Sequence, residues 1–314
     1  MKLIKNSLIT IKQKGLIVFL MAVINFLLIL FYQKFLPTNL IKKRIFDFRM
    51  FLNPIDRGIS RTLILFGVRE LDHKKILELV LKKNMKVFDL GANIGYYVLM
   101  ESSIVGKNGK IIAIEPVPEN MKLLKKNLEL NKNNITTTMQ VGISNLIEEK
   151  NFLLSEHSNL GHIIDDKHSK NYKNKKKIKI QTISLNKLIK KTLFPDFIRM
   201  DVEGYEEYIL KDLINLKLKK YPIICFETHL SKYKKMKDVL KKLFNKGYRI
   251  KYASSSSESG SLKLKNLGYK PIFKNIKTDD VTREIFKNIK KNHSIKLICE
   301  LGGLRTVLMV CDNR

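Results

Sequence analysis

Cysteine is scarce. Cys225, Cys299 and Cys311 are scattered through 314 residues with no CxxC pair. That excludes a disulfide framework and a cysteine-based zinc ribbon, and it fits a reducing compartment. The six histidines show no HxxxH or His–Cys spacing, so no zinc site is expected; Asp201 and Glu203 could hold a divalent ion, but two carboxylates without His or Cys partners do not define a metal site. Glycine (15) and proline (7) are few and hydrophobic residues reach 44%, which excludes a collagen-like or wholly disordered chain. No internal repeat is present. Arginine supplies only 10 of the 60 basic residues. A nucleic-acid site usually draws on arginine's planar fork, and no motif of that kind occurs, so no nucleic-acid partner is expected. Length alone fits one large domain or two modest ones.

Lysine is abundant. Against 29 acidic residues the basic ones leave a formal charge of +31. The lysines run along nearly the whole chain, as on a solvated surface, and they would also favour an anionic membrane surface. Behind a basic segment (1–14) lies an apolar run, 15–32, GLIVFLMAVINFLLILFY, in which Asn25 is the one strongly polar side chain. As a helix it would span about 27 Å, just short of a bilayer's hydrocarbon core. Gln33, Lys34, Phe35 and Leu36 follow it with no small-x-small cleavage site, so an uncleaved membrane anchor is expected. The small excess of Lys and Arg after the run places the remainder on the cytoplasmic side, and an in-plane helix also fits.

Residues 33–83 read as a helical, basic connector. From residue 84 short apolar runs alternate with amphipathic stretches. Strands are expected at 86–90, 110–115, 136–142, 197–201, 223–227, 248–253 and 306–311. Helices are expected at 95–105, 118–130, 205–213 and 232–245. This alternation predicts a doubly wound α/β sheet. Between 145 and 184 the pattern breaks around a polar loop (155–176), and the serine run 254–261 reads as mobile.

VFDLGANIGY at 87–96 carries the chemistry. A strand ends in Asp89, Gly91 and Gly95 bracket Asn93, and a helix begins. Ligands of α/β sheets sit outside the carboxyl ends of the strands. Twenty residues past Gly95, Glu115 ends the next strand, where a carboxylate can accept from both hydroxyls of a ribose. The dinucleotide fingerprint GxGxxG is absent: Asn93 replaces its middle glycine and Asp89 adds a charge that would repel a pyrophosphate. That charge suits the ammonium of a methionyl group. S-adenosylmethionine therefore fits better than NAD.

VFDLGANIGYYVL, GKIIAIEPVPENMKLLKKN, FIRMDVEGYEEYILKDL and PIICFETH together resemble the FkbM family of S-adenosylmethionine-dependent methyltransferases, from about residue 86 to 230. The end, LGGLRTVLMV, resembles the family's last strand. The resemblance implies a class I methyltransferase (Rossmann-like) domain over 84–314, with a seven-stranded, mostly parallel sheet. It implies O-methylation of a saccharide or secondary metabolite. It gives Asp89, Gly91, Asn93 and Gly95 to the methionyl part of the cofactor, Glu115 to the ribose, and Gly142, Ile143 and Ser144 to the adenine edge. Asp201, Glu203 and Gly204 then face the methyl group, with Asp201 as the candidate base. Asp201 also reads as a helix N-terminal residue serving backbone N–H groups, and the two roles coexist. His229 is a second candidate base or a polar loop residue. His157 and His162 are placed at the substrate mouth, and His73, His168 and His293 on the surface. DVEGY stands where base-amine methyltransferases carry a Pro-Pro-aromatic segment, which argues against nucleobases.

The expected protein is a membrane-anchored O-methyltransferase acting on a hydroxyl or carboxylate of a glycan or lipid-linked saccharide. An NAD-dependent enzyme of sugar metabolism and a non-catalytic methyltransferase-fold scaffold are the alternatives. Oligomeric state leaves no trace in the sequence.

Overall fold

The computed structural model describes residues 10–155, 157–158, 160–164 and 176–312. Most of segment 1–14 and of loop 155–176, including His168, lies outside them. The apolar helix α1 (Leu16–Phe35) comes first. The hairpin β1 (Ile41–Ile45) and β2 (Phe48–Leu52) follows, then α2 (Ile59–Phe66) and α3 (Leu71–Val80). Alternation begins with β3 (Lys86–Leu90), α4 (Tyr96–Val105), β4 (Lys110–Ile114), α5 (Pro118–Leu130) and β5 (Thr136–Met139). Then come β6 (Gly142–Ser144), β7 (Glu149–Leu153), β8 (His162–Ile164), β9 (Lys177–Ser184) and α6 (Leu185–Lys191). It resumes with β10 (Phe197–Met200), α7 (Glu206–Asn215), β11 (Ile223–Glu227), α8 (Met236–Asn245), β12 (Tyr248–Ser255) and α9 (Glu258–Asn266). The hairpin β13 (Phe273–Thr278) and β14 (Val281–Lys287), α10 (Lys291–Cys299) and β15 (Leu304–Cys311) complete the chain.

The main sheet has the order β13-β14-β12-β15-β11-β10-β3-β4-β5. Strands β5, β4, β3, β10 and β11 are parallel, and β15 runs antiparallel between β11 and β12. The class I methyltransferase sheet is thus present as seven strands, and the hairpin β13–β14, read in the sequence as no strand, extends it to nine. Alternate residues of β3 serve opposite faces: Val87 joins the core shared with α3, α4 and α5, and Phe88 and Leu90 join the core shared with α7 and α8. Burial on both faces makes these strands near-continuous apolar runs. The connections reverse direction between β3 and β10, and a crevice opens there at the strands' carboxyl ends.

Three expectations change. The connector is not all helical: Ile41, Ile45, Phe48, Met50 and Leu52 are buried in alternation with exposed Lys42 and Arg49, and that period of two makes strands whatever the lysine content. The serine run is ordered. Ser254 and Ser255 are buried, accepting from the Thr306 and Glu284 N–H groups at 3.1 and 3.0 Å. His73 is buried, with Cys225 Sγ 3.7 Å and Thr306 Oγ1 3.4 Å from its ring. Burial first, then Arg199, holds its pKa well below the usual histidine value.

Candidate active site

The first strand-to-helix turn is built on glycine. Gly91 has φ 85°, and a Cβ there would lie 2.1 Å from the Asp201 carbonyl oxygen. Its need for glycine is therefore the neighbouring β10 backbone, more than a ligand. Gly95 has φ 90°, and a Cβ would lie 2.6 Å from Leu124 of α5. Between them Asn93 takes φ 47°, which asparagine tolerates. Its side chain donates to the Ser158 carbonyl at 3.0 Å. Ser158 in turn donates through N and Oγ to Asp56, both at 3.0 Å. The 145–184 excursion is so tied across the crevice, and Ser158, Gly161 and Ile163 line it together with Gly91, Asn93, Glu115, Gly142 and Ile143.

Glu115, at the end of β4, accepts from the Asn93 N–H at 2.8 Å, the Val117 N–H at 3.0 Å and Asn120 Nδ2 at 3.1 Å. Burial pushes its carboxyl up to about 7 against the pull of these hydrogen bonds. Asp89 is buried beneath the turn and bonds Arg199 Nη1 at 2.7 Å, leaving its second oxygen unpartnered. Arg199 stands in the middle of β10, stacks 3.7 Å from the Tyr97 ring and bonds Asp201 Oδ2 at 3.1 Å. One guanidinium thus couples the ends of two strands.

Asp201 and Glu203 both line the crevice, and Glu203 adopts φ 53° in the tight turn before α7. The turn's N–H groups of Val202 and Gly204 donate to Glu206, each at 3.0 Å. Glu206 therefore serves these N–H groups, and the Asp201 carboxylate turns toward Arg199 and the cleft. Burial raises the Asp201 pKa, Glu227 repulsion adds to it, and Arg199 opposes it. His229 follows β11. Burial opposes its charge, but the carboxylates of Glu203, Glu206 and Glu227 outweigh that and hold its pKa far above the ordinary value.

The structure brings Gly91, Asn93, Glu115, Asp201 and Glu203 to one cleft. Gly95 turns away toward α5, Ser144 is buried with its hydroxyl on Asn145, and His229 stands behind Asp201 and Glu203. His157 and His162 lie beside the lining residues Ser158 and Gly161 without lining the cleft. Sequence reading passed over Arg69, Glu70 and Tyr97, which line the far wall, and Glu227. Glu70 is buried at φ 46° and bonds Arg69, the Tyr97 hydroxyl and Arg305 Nη2, the last at 3.2 Å. One signal was available: FIRMD places a lone arginine inside an apolar strand, and such a charge needs buried partners.

Residues 89–250, just over half of the chain, match the Methyltransferase FkbM domain. The chain belongs to the FkbM methyltransferase family. A second match, to the protein-L-isoaspartate(D-aspartate) O-methyltransferase domain, covers residues 7–146. A protein-L-isoaspartate O-methyltransferase of Methanococcus maripaludis is 36% identical over 72 residues, 23% of this chain and 34% of the relative. The alignment thus spans about a third of that relative's length. Among solved structures, an FkbM methyltransferase from Methylobacillus flagellatus is 15% identical, covering 73% of this chain and 54% of that one, with TM-score 0.37. A precorrin-6y C5,15-methyltransferase from Geobacter metallireducens is 13% identical, covering 78% and 90%, with TM-score 0.40.

This FkbM protein is an S-adenosylmethionine-dependent methyltransferase, which removes the NAD-dependent alternative. Its cleft suits the cofactor. Glu115 offers acceptors at a strand end, and the turn at Gly91–Asn93 offers backbone. Arg69 brings a buried Nε with no hydrogen-bond partner to the same wall.

Proposed function

We infer that the protein transfers a methyl group to a hydroxyl oxygen of a glycan or lipid-linked saccharide at the cytoplasmic face of a membrane. The observation that carries this reading is Asp201, a carboxylate of raised pKa in the cleft at the end of β10, anchored on one side by Arg199. When bound, S-adenosylmethionine supplies an electrophilic methyl on a sulfonium. Glu115 holds the ribose. Arg69, whose buried Nε has no hydrogen-bond partner, receives the carboxylate of the amino-acid end on the cleft wall. Asp201 takes the acceptor's proton as its oxygen attacks the methyl carbon and the carbon–sulfur bond breaks. Holding the oxygen in line supplies much of the remaining acceleration. Asp201 and Glu203 line the cleft together, which favours a neutral hydroxyl over a carboxylate acceptor.

Membrane attachment rests on α1, a helix long and apolar enough to cross a bilayer, with mean hydropathy 2.5 over 18 residues and 11% of them buried. Lys14 lies over the Phe66 ring, Asn25 Nδ2 donates to the Leu65 carbonyl at 3.1 Å and Gln33 Nε2 to the Pro54 carbonyl at 2.8 Å. Asn25, Gln33 and the buried Ala22 and Ile29 hold one side of α1 against the domain. Ile17, Leu20, Ile24, Leu27 and Phe31 stay exposed on its outer side. Leu16, Met21, Val23 and Leu30 are exposed as well, so apolar side chains face outward round most of the helix, which supports burial in lipid.

The isoaspartyl relatives support a second reading, esterification of a protein carboxylate. Methyl-labelled cofactor, the full chain in detergent and membrane extract of the source cells separate the two. Alkali-stable label in a carbohydrate-bearing lipid fraction is the expected result. Volatile methanol released from protein by mild alkali would establish the second reading. Label confined to nucleic acid would overturn both.

A further inference from the structure

Five ionisable side chains converge beyond the carboxyl ends of β10 and β11. His229 Nε2 lies 3.9 Å from Asp201 Oδ1, 3.6 Å from Glu203 Oε2 and 3.4 Å from Glu227 Oε1. Its Nδ1 lies 3.2 Å from Glu206 Oε1. Arg199 on Asp201 and Arg305 on Glu227 flank the group. The imidazole is nine-tenths buried, and neither ring nitrogen meets a partner in hydrogen-bonding geometry. Buried polar atoms are rarely left that way. With the ring neutral, a cation shared by its nitrogen and the carboxylates completes the arrangement, in place of the proton that the carboxylates otherwise hold there.

The spacing is close enough for the donor atoms to draw in around one ion. Ligand atoms about 2.1 Å from a shared octahedral ion stand about 3.0 Å apart when adjacent and about 4.2 Å apart when opposite. Donor atoms of Asp201, Glu227 and His229 all lie within 4.8 Å of one another, and two of the separations, 3.4 and 3.9 Å, fall inside that window. Glu206 behind Nδ1 stands where a carboxylate orients a metal-bound imidazole. Glu203 stands close enough to serve as a fourth donor or to hold a bound water. One imidazole with carboxylates and open positions suits a hard-to-borderline divalent ion rather than a closed zinc site.

We propose that Asp201, Glu227 and His229 bind a divalent cation of the Mn2+ type beside the methyl-transfer cleft, where it holds the acceptor oxygen. The role given to the cation rests on the methyltransferase reading above, and the site itself does not. Asp201 is the shared member: Oδ2 faces Arg199 and Oδ1 the cation, so with the ion bound it is a weaker base and the ion itself makes the coordinated acceptor hydroxyl more acidic. On the sequence alone, Asp201 and Glu203 lack a His or Cys partner for a metal; the fold supplies His229, 28 residues beyond Asp201, from the end of the neighbouring strand.

The test uses the full chain in detergent, stripped with a chelator and titrated with Mn2+, free Mn2+ being read by electron paramagnetic resonance. One Mn2+ should bind per chain, and Mg2+ should compete. Affinity should fall about 100-fold or more in His229→Gln and in Glu227→Gln, since even an outer-shell change costs 10- to 100-fold at such sites. Pulsed resonance on the unaltered chain should show an imidazole nitrogen coupled to the bound Mn2+, a readout that does not depend on a variant folding. S-adenosylhomocysteine binding by each preparation tests the cofactor reading separately. No Mn2+ binding by a chain that binds S-adenosylhomocysteine would overturn the site. So would bound Mn2+ without nitrogen coupling, or affinity unchanged in both variants.

Discussion

Glu115 answers to two opposing influences. Burial pushes its carboxyl up to about 7, while three hydrogen bonds favour the anion. Its pKa in the folded chain is therefore above its unfolded value. The folded state holds this proton more tightly, and the unliganded protein loses stability as pH rises from about 4.5 toward 7. On the proposed reading, ribose hydroxyls donate to the anion, so the cofactor would favour the opposite state. S-adenosylhomocysteine should bind about tenfold more weakly at pH 6 than at pH 8, the change in the ionised fraction of a group that titrates at about 7. Calorimetry across that range checks it, and Glu115→Gln should bind weakly with a flat profile. A sloping profile in that variant would assign the proton elsewhere. The same scale shows what spacing can and cannot tell. Gly91, Asn93 and Glu115 were legible because turn chemistry and a strand end are local. The Asp89 side chain was not: its partner Arg199 lies 110 residues away.

Among the elements, the hairpin β1–β2 and the turn after β3 share a fastening on α5. Asn127 is buried, accepts from the Phe51 N–H at 2.7 Å and donates to the Ile94 carbonyl at 2.9 Å. Asn131, one turn on, makes similar bonds to Arg49 nearer the surface. Asn127→Ala strands two buried backbone groups and should cost about 3 kcal/mol, with weakened S-adenosylhomocysteine binding because Ile94 belongs to the cofactor turn. Asn131→Ala should cost about 0.5 kcal/mol. Urea unfolding of both variants checks the contrast, and equal losses would deny Asn127 its fastening role. The strands β3, β4, β10 and β11 stood out in the sequence because burial on both faces writes apolar runs of strand length. The hairpins β1–β2 and β13–β14 did not, because lysines on their outer faces masked a short period of two.

At the scale of the whole molecule, a charge of +31 and an apolar helix against the domain surface point the same way. If α1 is buried in lipid, the full chain should float with anionic vesicles and less with neutral ones, and salt should weaken the anionic component alone. Replacing Ile17, Leu20, Ile24 and Leu27 by serine should release the protein from both. Retention by those vesicles after the fourfold change would place the contact elsewhere. The sequence by itself determined the α/β class, the positions of most parallel strands, the glycine-bearing turn after β3 and the carboxylate that meets it. Each depends on residues within a turn or a strand of one another, where sterics and periodicity act directly. Tertiary structure alone decided which charges meet. Arg199 joins Asp89 to Asp201, Arg305 joins Glu70 to Glu227, and His229 enters a nest of carboxylates from two strand ends and a helix. Those partners are brought together by sheet order. Their energies follow from burial and distance, which no local pattern in the chain encodes.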